Sequence, residues 1–106
     1  MTEVEREEIK ARLIALGFWG EDEPGDPTVA FLDAITLHNR VAARLIKDHF
    51  QVSTWVGADS PSRTAQAVCG QNTYELATAD TYPECVCLAS LALPDFLKEH
   101  PECAAD

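Results

Sequence analysis

The apolar residues change their period near residue 50, and this limits the fold more than any other feature of the chain. From Pro27 to His49 they recur at helical spacing: Phe31, Ile35, His38, Ala42, Leu45 and His49 share one stripe, flanked by Leu32, Val41 and Ile46. From Gln51 to Gly57 the pattern alternates, with Val52, Thr54 and Val56 facing one way and Ser53 and Trp55 the other. Ala58 to Ser62 reads as a loop, Gly70-Gln71-Asn72 as a turn, and Thr73 to Ala79 as a further strand. Thr64 to Cys69 fits either a strand, with Ala65, Ala67 and Cys69 inward, or a short helical turn, because Ala and Gln favour helix. A chain that leaves a helix, makes a small meander and returns to a helix is an α+β chain.

Local signals bound these elements. Asp26 and Pro27 suit the start of the second helix, as N-cap and first helical residue. Thr81 and Glu84 form a capping box that opens the last helix, with Pro83 tolerated in its first turn. Val86, Cys87, Leu88, Leu91 and Ala92 give that helix its apolar body. Pro94 is expected to break or kink it, Asp95 to His100 to add another turn or two, and the tail from Pro101 to fray. Ahead of all this, residues 3–16 read as a helix capped by Thr2 and Glu5, with Ile9, Leu13 and Leu16 on one face and Gly17 at its end. Phe18 and Trp19 then either anchor that end on the core or stand exposed as a partner contact. The segment GEDEPGDP reads as a polar linker, which would leave the first helix semi-detached.

The expectation is one α+β domain over residues 1–106: a small antiparallel sheet of about three strands packed by helices, with an N-terminal helical arm. Its parts are an acidic helix at 1–19, a linker at 20–26, an α-β-β-β-α core at 27–100 and a tail at 101–106. Hydrophobic residues make up 46% and charged ones 25%, which suits a folded domain that needs no metal or disulfide to hold its core.

Charge is the strongest hint about partners. The formal net charge is −10, with −5 on residues 1–26, −4 on residues 81–106 and +1 on residues 27–50. A field of this sign repels nucleic acid, phosphates and anionic membranes, and attracts a basic protein surface. It also keeps a protein soluble without any partner. Arg40, Arg44 and Lys47 make the one basic patch. No apolar run reaches membrane-spanning length, and the acidic start MTEVEREEIK lacks the form of a signal peptide, so the expected location is the cytoplasm.

No motif commits the chain to catalysis. There is no H-E-x-x-H, G-x-S-x-G or P-loop, so no catalytic, cofactor-binding or metal-binding residue is assigned and the expectation is a non-enzyme. Cys85, Cys87, His100 and Cys103 are zinc-ligand types, yet Cys85 and Cys87 in a helix would point about 200° apart. Cys85, near a helix N-terminus, is the best candidate for a reactive thiol. His38 and His49 share a face but would lie about 16 Å apart along a helix axis, too far for one metal. Asp33 and Asp48 are the carboxylates with apolar neighbours.

Residues 77–93, ATADTYPECVCLASLAL, resemble the C-terminal signature of the phage ABA-sandwich proteins. The matching positions are Ala79-Asp80-Thr81-x-Pro83-Glu84 and the run Cys87-Leu88-Ala89-x-Leu91. The helix–sheet–helix order also fits, whereas the N-terminal helix and GEDEPGDP look like additions. The resemblance implies a small accessory protein of a tailed phage or prophage, and carries over no catalytic residue. In size and charge alone the chain resembles inhibitors of CRISPR effectors.

Three functions are therefore in view. The first is an acidic phage interaction protein that binds and inhibits a host protein with a basic surface, with no direct nucleic-acid or membrane partner. Its contact would use Glu3, Glu5, Glu7, Glu8, Glu21, Asp22, Glu23 and Asp26. The second is an assembly module, a homodimer through Phe18, Trp19 or Trp55. The third is a metal or thiol protein using Cys85, Cys87, His100 and Cys103.

Overall fold

Among the described residues, three helices and three strands follow one another in the order α1 (Glu3–Ala15), α2 (Phe31–Ala42), β1 (Phe50–Val56), β2 (Pro61–Cys69), β3 (Asn72–Ala79) and α3 (Tyr82–Glu99) in the computed structural model. Single 3₁₀ turns stand at Ile46–Asp48 and Pro101–Cys103. The structure describes residues 2–56 and 61–105. The strands form one antiparallel sheet in the order β1-β2-β3. Helix α3 packs on all three strands, and α1 and α2 pack on α3.

The period-two segments settle into strands because their small and apolar residues meet in register. Phe50 pairs with Ala67 and Val52 with Ala65, which sets apolar side chains side by side on the inner face. Residues 64–69 are strand, with Ala65 and Ala67 fully buried. Only small side chains stand there, so α3 can lie close. In β3, Tyr74 and Leu76 and also Ala77 and Ala79 pack on the core. Strict alternation would split these pairs between two faces. A bulge opposite Ala65 and Gln66 slips the pairing by one residue and turns both pairs inward. The expected loop at 58–62 falls mostly on residues outside the described ones, and strand has already resumed at Pro61.

Helix α3 is buried on opposite sides at once. Cys85 and Cys87 are both fully buried, although their side chains diverge. The Cys85 thiol donates to the carbonyls of Arg63 and Ala77 under the sheet, while the Cys87 thiol donates to the carbonyl of Pro27. A helix covered from two sides has no solvent stripe through its middle, and Val86, Ala89, Ser90 and Leu93 are buried as well. The expected break at Pro94 does not occur, since α3 runs unbroken to Glu99. Pro94 costs the helix one N–H donor, and packing on both sides outweighs that loss.

The N-terminal helix is present, and its end is seated in the core rather than semi-detached. Thr2 caps it by accepting from the Glu5 N–H. Its other end closes in a Schellman motif: Phe18 N–H donates to Leu13 O at 2.9 Å and Gly17 N–H to Ile14 O at 3.1 Å, with Gly17 at φ 81°. The motif reverses the chain and drives Phe18 and Trp19 inward beside Leu13, all three at most 3% exposed.

GEDEPGDP is not a loose linker either. Glu23 accepts two hydrogen bonds from the Arg40 guanidinium, at 2.7 and 2.6 Å, and a third from the Gly20 N–H. Asp33 accepts from the Asp26 N–H, and a side chain at Gly25 (φ 99°) would collide with that Asp33 carboxylate.

Helix α2 is shorter than the period suggested, spanning Phe31–Ala42 instead of Pro27–His49. At its start, Asp26 caps a preceding turn, accepting from the Thr28 N–H and hydroxyl, and Pro27 and Thr28 are buried there. At its end no Gly or Pro intervenes. The chain turns because Leu45, 2% exposed, bridges to Ala104, and the Arg44 carbonyl accepts from the Ala105 N–H. The tail therefore does not fray: Cys103 is 1% exposed and 104–105 pair with the segment after α2. Lys47 takes a left-handed conformation, φ 56°, to carry the chain into β1. The buried stripe of α2 is Ala34, Leu37 and Val41. Phe31 and Leu32, expected in the core, are exposed.

Candidate interaction surface

The acidic residues of the first segment divide into two groups. Glu3, Glu5, Glu7 and Glu8 are exposed on α1, and Glu21 and Asp22 are exposed on the turn that follows it. Among the described residues none of these six lies within ion-pair distance of a cation, and Glu5 meets only the Thr2 hydroxyl. Glu23 and Asp26 have internal duties instead. The hydrogen bonds from Arg40, then from Gly20, hold the Glu23 carboxyl down at about 2. Asp26 spends its carboxylate on Thr28. These two belong to the scaffold, and the six others form the free acidic surface.

The same contacts dismantle the basic patch read from the sequence. The Arg40 guanidinium lies 4.9 Å from the Trp19 ring centroid and donates to the Phe18 carbonyl as well as to Glu23. The Arg44 guanidinium lies 3.9 Å from the Phe18 ring. Two of the three cations of the patch thus fold inward on the aromatic pair.

Phe18 and Trp19 serve as core anchors, and their burial removes them as dimer contacts. Trp55 lies in β1, and its side chain is outside the described residues. The thiol expected to be most reactive, Cys85, is fully buried, and burial pushes its pKa up despite its place in the first turn of α3. Cys87 is pushed up to about 12 by burial, and Cys103 to about 12 by burial and its hydrogen-bonded neighbour Cys69. Cys85 and Cys87 face opposite sides of α3, and His100 and Cys103 lie beyond its other end, so the four do not converge. Among the described residues no cluster of three or more His, Cys, Asp or Glu side chains is placed to hold a metal.

His38 is half-buried between Tyr82 and Phe50. Its Nδ1 lies 2.9 Å from the Tyr82 hydroxyl, and burial lowers its pKa below 6.5. With the ring neutral, the tautomer sets which of the two donates. His49 is exposed just ahead of β1. Asp33 lies half-buried and holds the Asp26 backbone, while the Asp48 side chain is outside the described residues.

The feature the sequence reading missed is apolar. Val29, Phe31 and Leu32 are 53%, 59% and 76% exposed, three large apolar residues within four positions. Phe31 and Ile35 line an open groove of about 590 Å³ together with Tyr82, Pro83, Thr54 and Arg63. The signal was available in part: Ala34-Leu37-Val41 is a second helical stripe in α2, and only one of the two stripes can face the core.

Among the described residues no helix is long and apolar enough to cross a membrane. Comparisons with protein families, with curated proteins and with solved structures find nothing that matches this chain.

Proposed function

We propose that the protein is a small acidic interaction protein that binds a basic surface on a partner protein. The observation that carries the reading is the set of six exposed carboxylates, Glu3, Glu5, Glu7, Glu8, Glu21 and Asp22, none of them in an ion pair among the described residues, while Arg40 and Arg44 fold onto Trp19 and Phe18. A surface of this kind competes for a groove that normally holds a polyanion and speeds encounter with it. The resemblance of residues 77–93 to phage ABA-sandwich proteins supports a phage or prophage setting, with action in the host cytoplasm. In that setting the partner class is a host nucleic-acid-binding protein, such as a defence effector, and the outcome is inhibition.

The test is neutralisation of the six acids to Gln and Asn, which removes six of the ten net negative charges and touches no buried group. The tagged wild type and variant are passed through nuclease-treated host lysate at physiological salt. Capture of a nucleic-acid-binding protein by the wild type, lost in the variant and lost as salt rises, supports the reading. Equal capture by both proteins, with folds matched by circular dichroism, refutes it.

A further inference from the structure

Two thiols are brought side by side from distant parts of the chain. Cys69 closes β2, and Cys103 sits in the 3₁₀ turn beyond α3. Alternation along β2 turns Ala65, Ala67 and Cys69 the same way, onto the core that holds Cys103. The turn packs on β2, and the Cys69 and Cys103 side chains are hydrogen-bonded to each other. Neighbouring contacts fix the turn. The His100 ring lies against Tyr74 of β3 and Phe96 of α3, with centroids 4.4 and 4.9 Å away, and the Cys103 N–H donates to the His100 carbonyl at 3.0 Å.

The two thiols differ in access. Cys69 is half-exposed, whereas Cys103 is 1% exposed. A small oxidant in solution therefore meets Cys69 first and leaves Cys103 behind it as the second thiol. An accessible thiol beside a second one is the arrangement that ends in a disulfide rather than in over-oxidation. The other two cysteines stand apart from this pair: both are fully buried, with Cys85 under the sheet and Cys87 on Pro27. The pair also lies where the tail is attached. Just past Cys103, Ala104 bridges to Leu45 and the Ala105 N–H donates to the Arg44 carbonyl at 3.0 Å.

We propose that Cys69 and Cys103 are a peroxide-responsive pair whose disulfide latches the C-terminal tail to the end of β2. The Cys69 thiolate attacks one oxygen of hydrogen peroxide, the O–O bond breaks, and the departing hydroxide takes a proton and leaves as water. The Cys103 thiolate then attacks the sulfur of the Cys69 sulfenic acid, the S–O bond breaks, and a second water leaves. Two thiols lose two electrons and two protons, and the peroxide is reduced to two waters. The second step is the slow one, since burial and the Cys69 neighbour hold the Cys103 pKa up at about 12. A thiol reductant reverses the bond by exchange and departs as its own disulfide. The bond closes a loop that contains β3 and α3, which removes freedom from the unfolded chain and pins the tail in the folded one. The inference stands apart from the acidic-interaction reading.

The test exposes the reduced full chain to excess hydrogen peroxide, blocks the remaining thiols and maps the linkage by mass spectrometry. Cleavage after Arg63, Glu75, Lys98 and Glu102 separates Cys69 from Cys85 and Cys87 and should yield residues 64–75 joined to residues 103–106. Cys69→Ser should form no link. Cys103→Ala should stop at the Cys69 sulfenic acid, which dimedone traps. The oxidised wild type should melt about 5–15 °C above the reduced protein, an increase that dithiothreitol reverses and Cys69→Ser lacks. Exchange of the Ala105 N–H with solvent should slow by about tenfold or more on oxidation.

Sulfinic acid at Cys69 with Cys103 still reduced overturns the pair, as does a disulfide between two copies through Cys69. Linkage of Cys103 to Cys85 or Cys87 overturns it as well. A Cys69–Cys103 bond that leaves both the melting temperature and Ala105 exchange unchanged overturns the latch. Should Cys103→Ala fail to fold, the linkage maps of wild type and Cys69→Ser decide the question alone.

Discussion

Replacing Leu13 by Ala asks whether the N-terminal helix is part of the core or an attachment to it. Leu13 is fully buried, and its carbonyl accepts from both the Phe18 and Trp19 N–H groups. The substitution removes three carbons, about 2.4 kcal/mol at about 0.8 kcal/mol for each buried methylene. The space left beside Phe18 and Trp19 adds a cavity term, so the expected loss is about 3–4 kcal/mol. A domain of this size holds about 5–15 kcal/mol in all, and the melting temperature should fall by about 12–25 °C. The assay is urea unfolding followed by tryptophan fluorescence and by far-ultraviolet circular dichroism. Val4→Ala, on the exposed side of the same helix at 63% exposure, is the control and should stay within about 0.5 kcal/mol of wild type. The two probes should give one coincident transition. A loss below about 1 kcal/mol in Leu13→Ala, or a separate early transition of the helix, would refute the reasoning.

The Glu23 carboxyl is held at about 2 in the folded chain against 4.5 for the free group, so the unfolded state takes up its proton first as pH falls. Stability from this group is complete above about pH 4.5 and lost as pH falls towards about 2, and the urea midpoint of Glu23→Gln should show a shallower decline across that window than wild type. In native protein at pH 8, a disulfide reagent should titrate Cys69, the half-exposed thiol, and reach all four cysteines only in denaturant, because burial raises the pKa of the other three. Two or more rapidly reacting thiols would contradict the packing around α3. Lys47→Gly should stabilise the fold by about 0.5–1 kcal/mol, since the left-handed conformation costs a side-chain-bearing residue about 1–2 kcal/mol and glycine's looser unfolded chain returns part of the gain. An unchanged or lowered urea midpoint would refute that assignment of strain.

Where a signal is local and short-ranged, it was legible in the chain. Thr2 and Thr81 cap helices because a hydroxyl beside a free N–H needs nothing from elsewhere in the fold. Gly17 ends α1 because its backbone alone tolerates the required conformation. The six free acids of the candidate surface were legible for the same reason, since exposed charge is the default. Glu23 and Asp26 were not separable from them, because their partners, Arg40 and the Thr28 turn, are matters of where the chain comes to lie.

The sequence by itself determined the α+β class, the order of the elements, the helix caps, the alternation that makes strands and the sign of the surface. Each follows from backbone geometry, side-chain periodicity or summed charge over a few neighbouring residues. Tertiary structure alone decided which stripe of α2 faces inward, where α2 stops, that Pro94 stays inside a helix and that the tail pairs with the segment after α2. It also decided that Phe31 and Leu32 meet solvent while Phe18 and Trp19 do not. Residues 31–46 offer two apolar stripes and no stop signal, so local energies leave the choice open. Contacts with α3, β1 and residues 104–105, distant along the chain, supply the few kcal/mol that settle it.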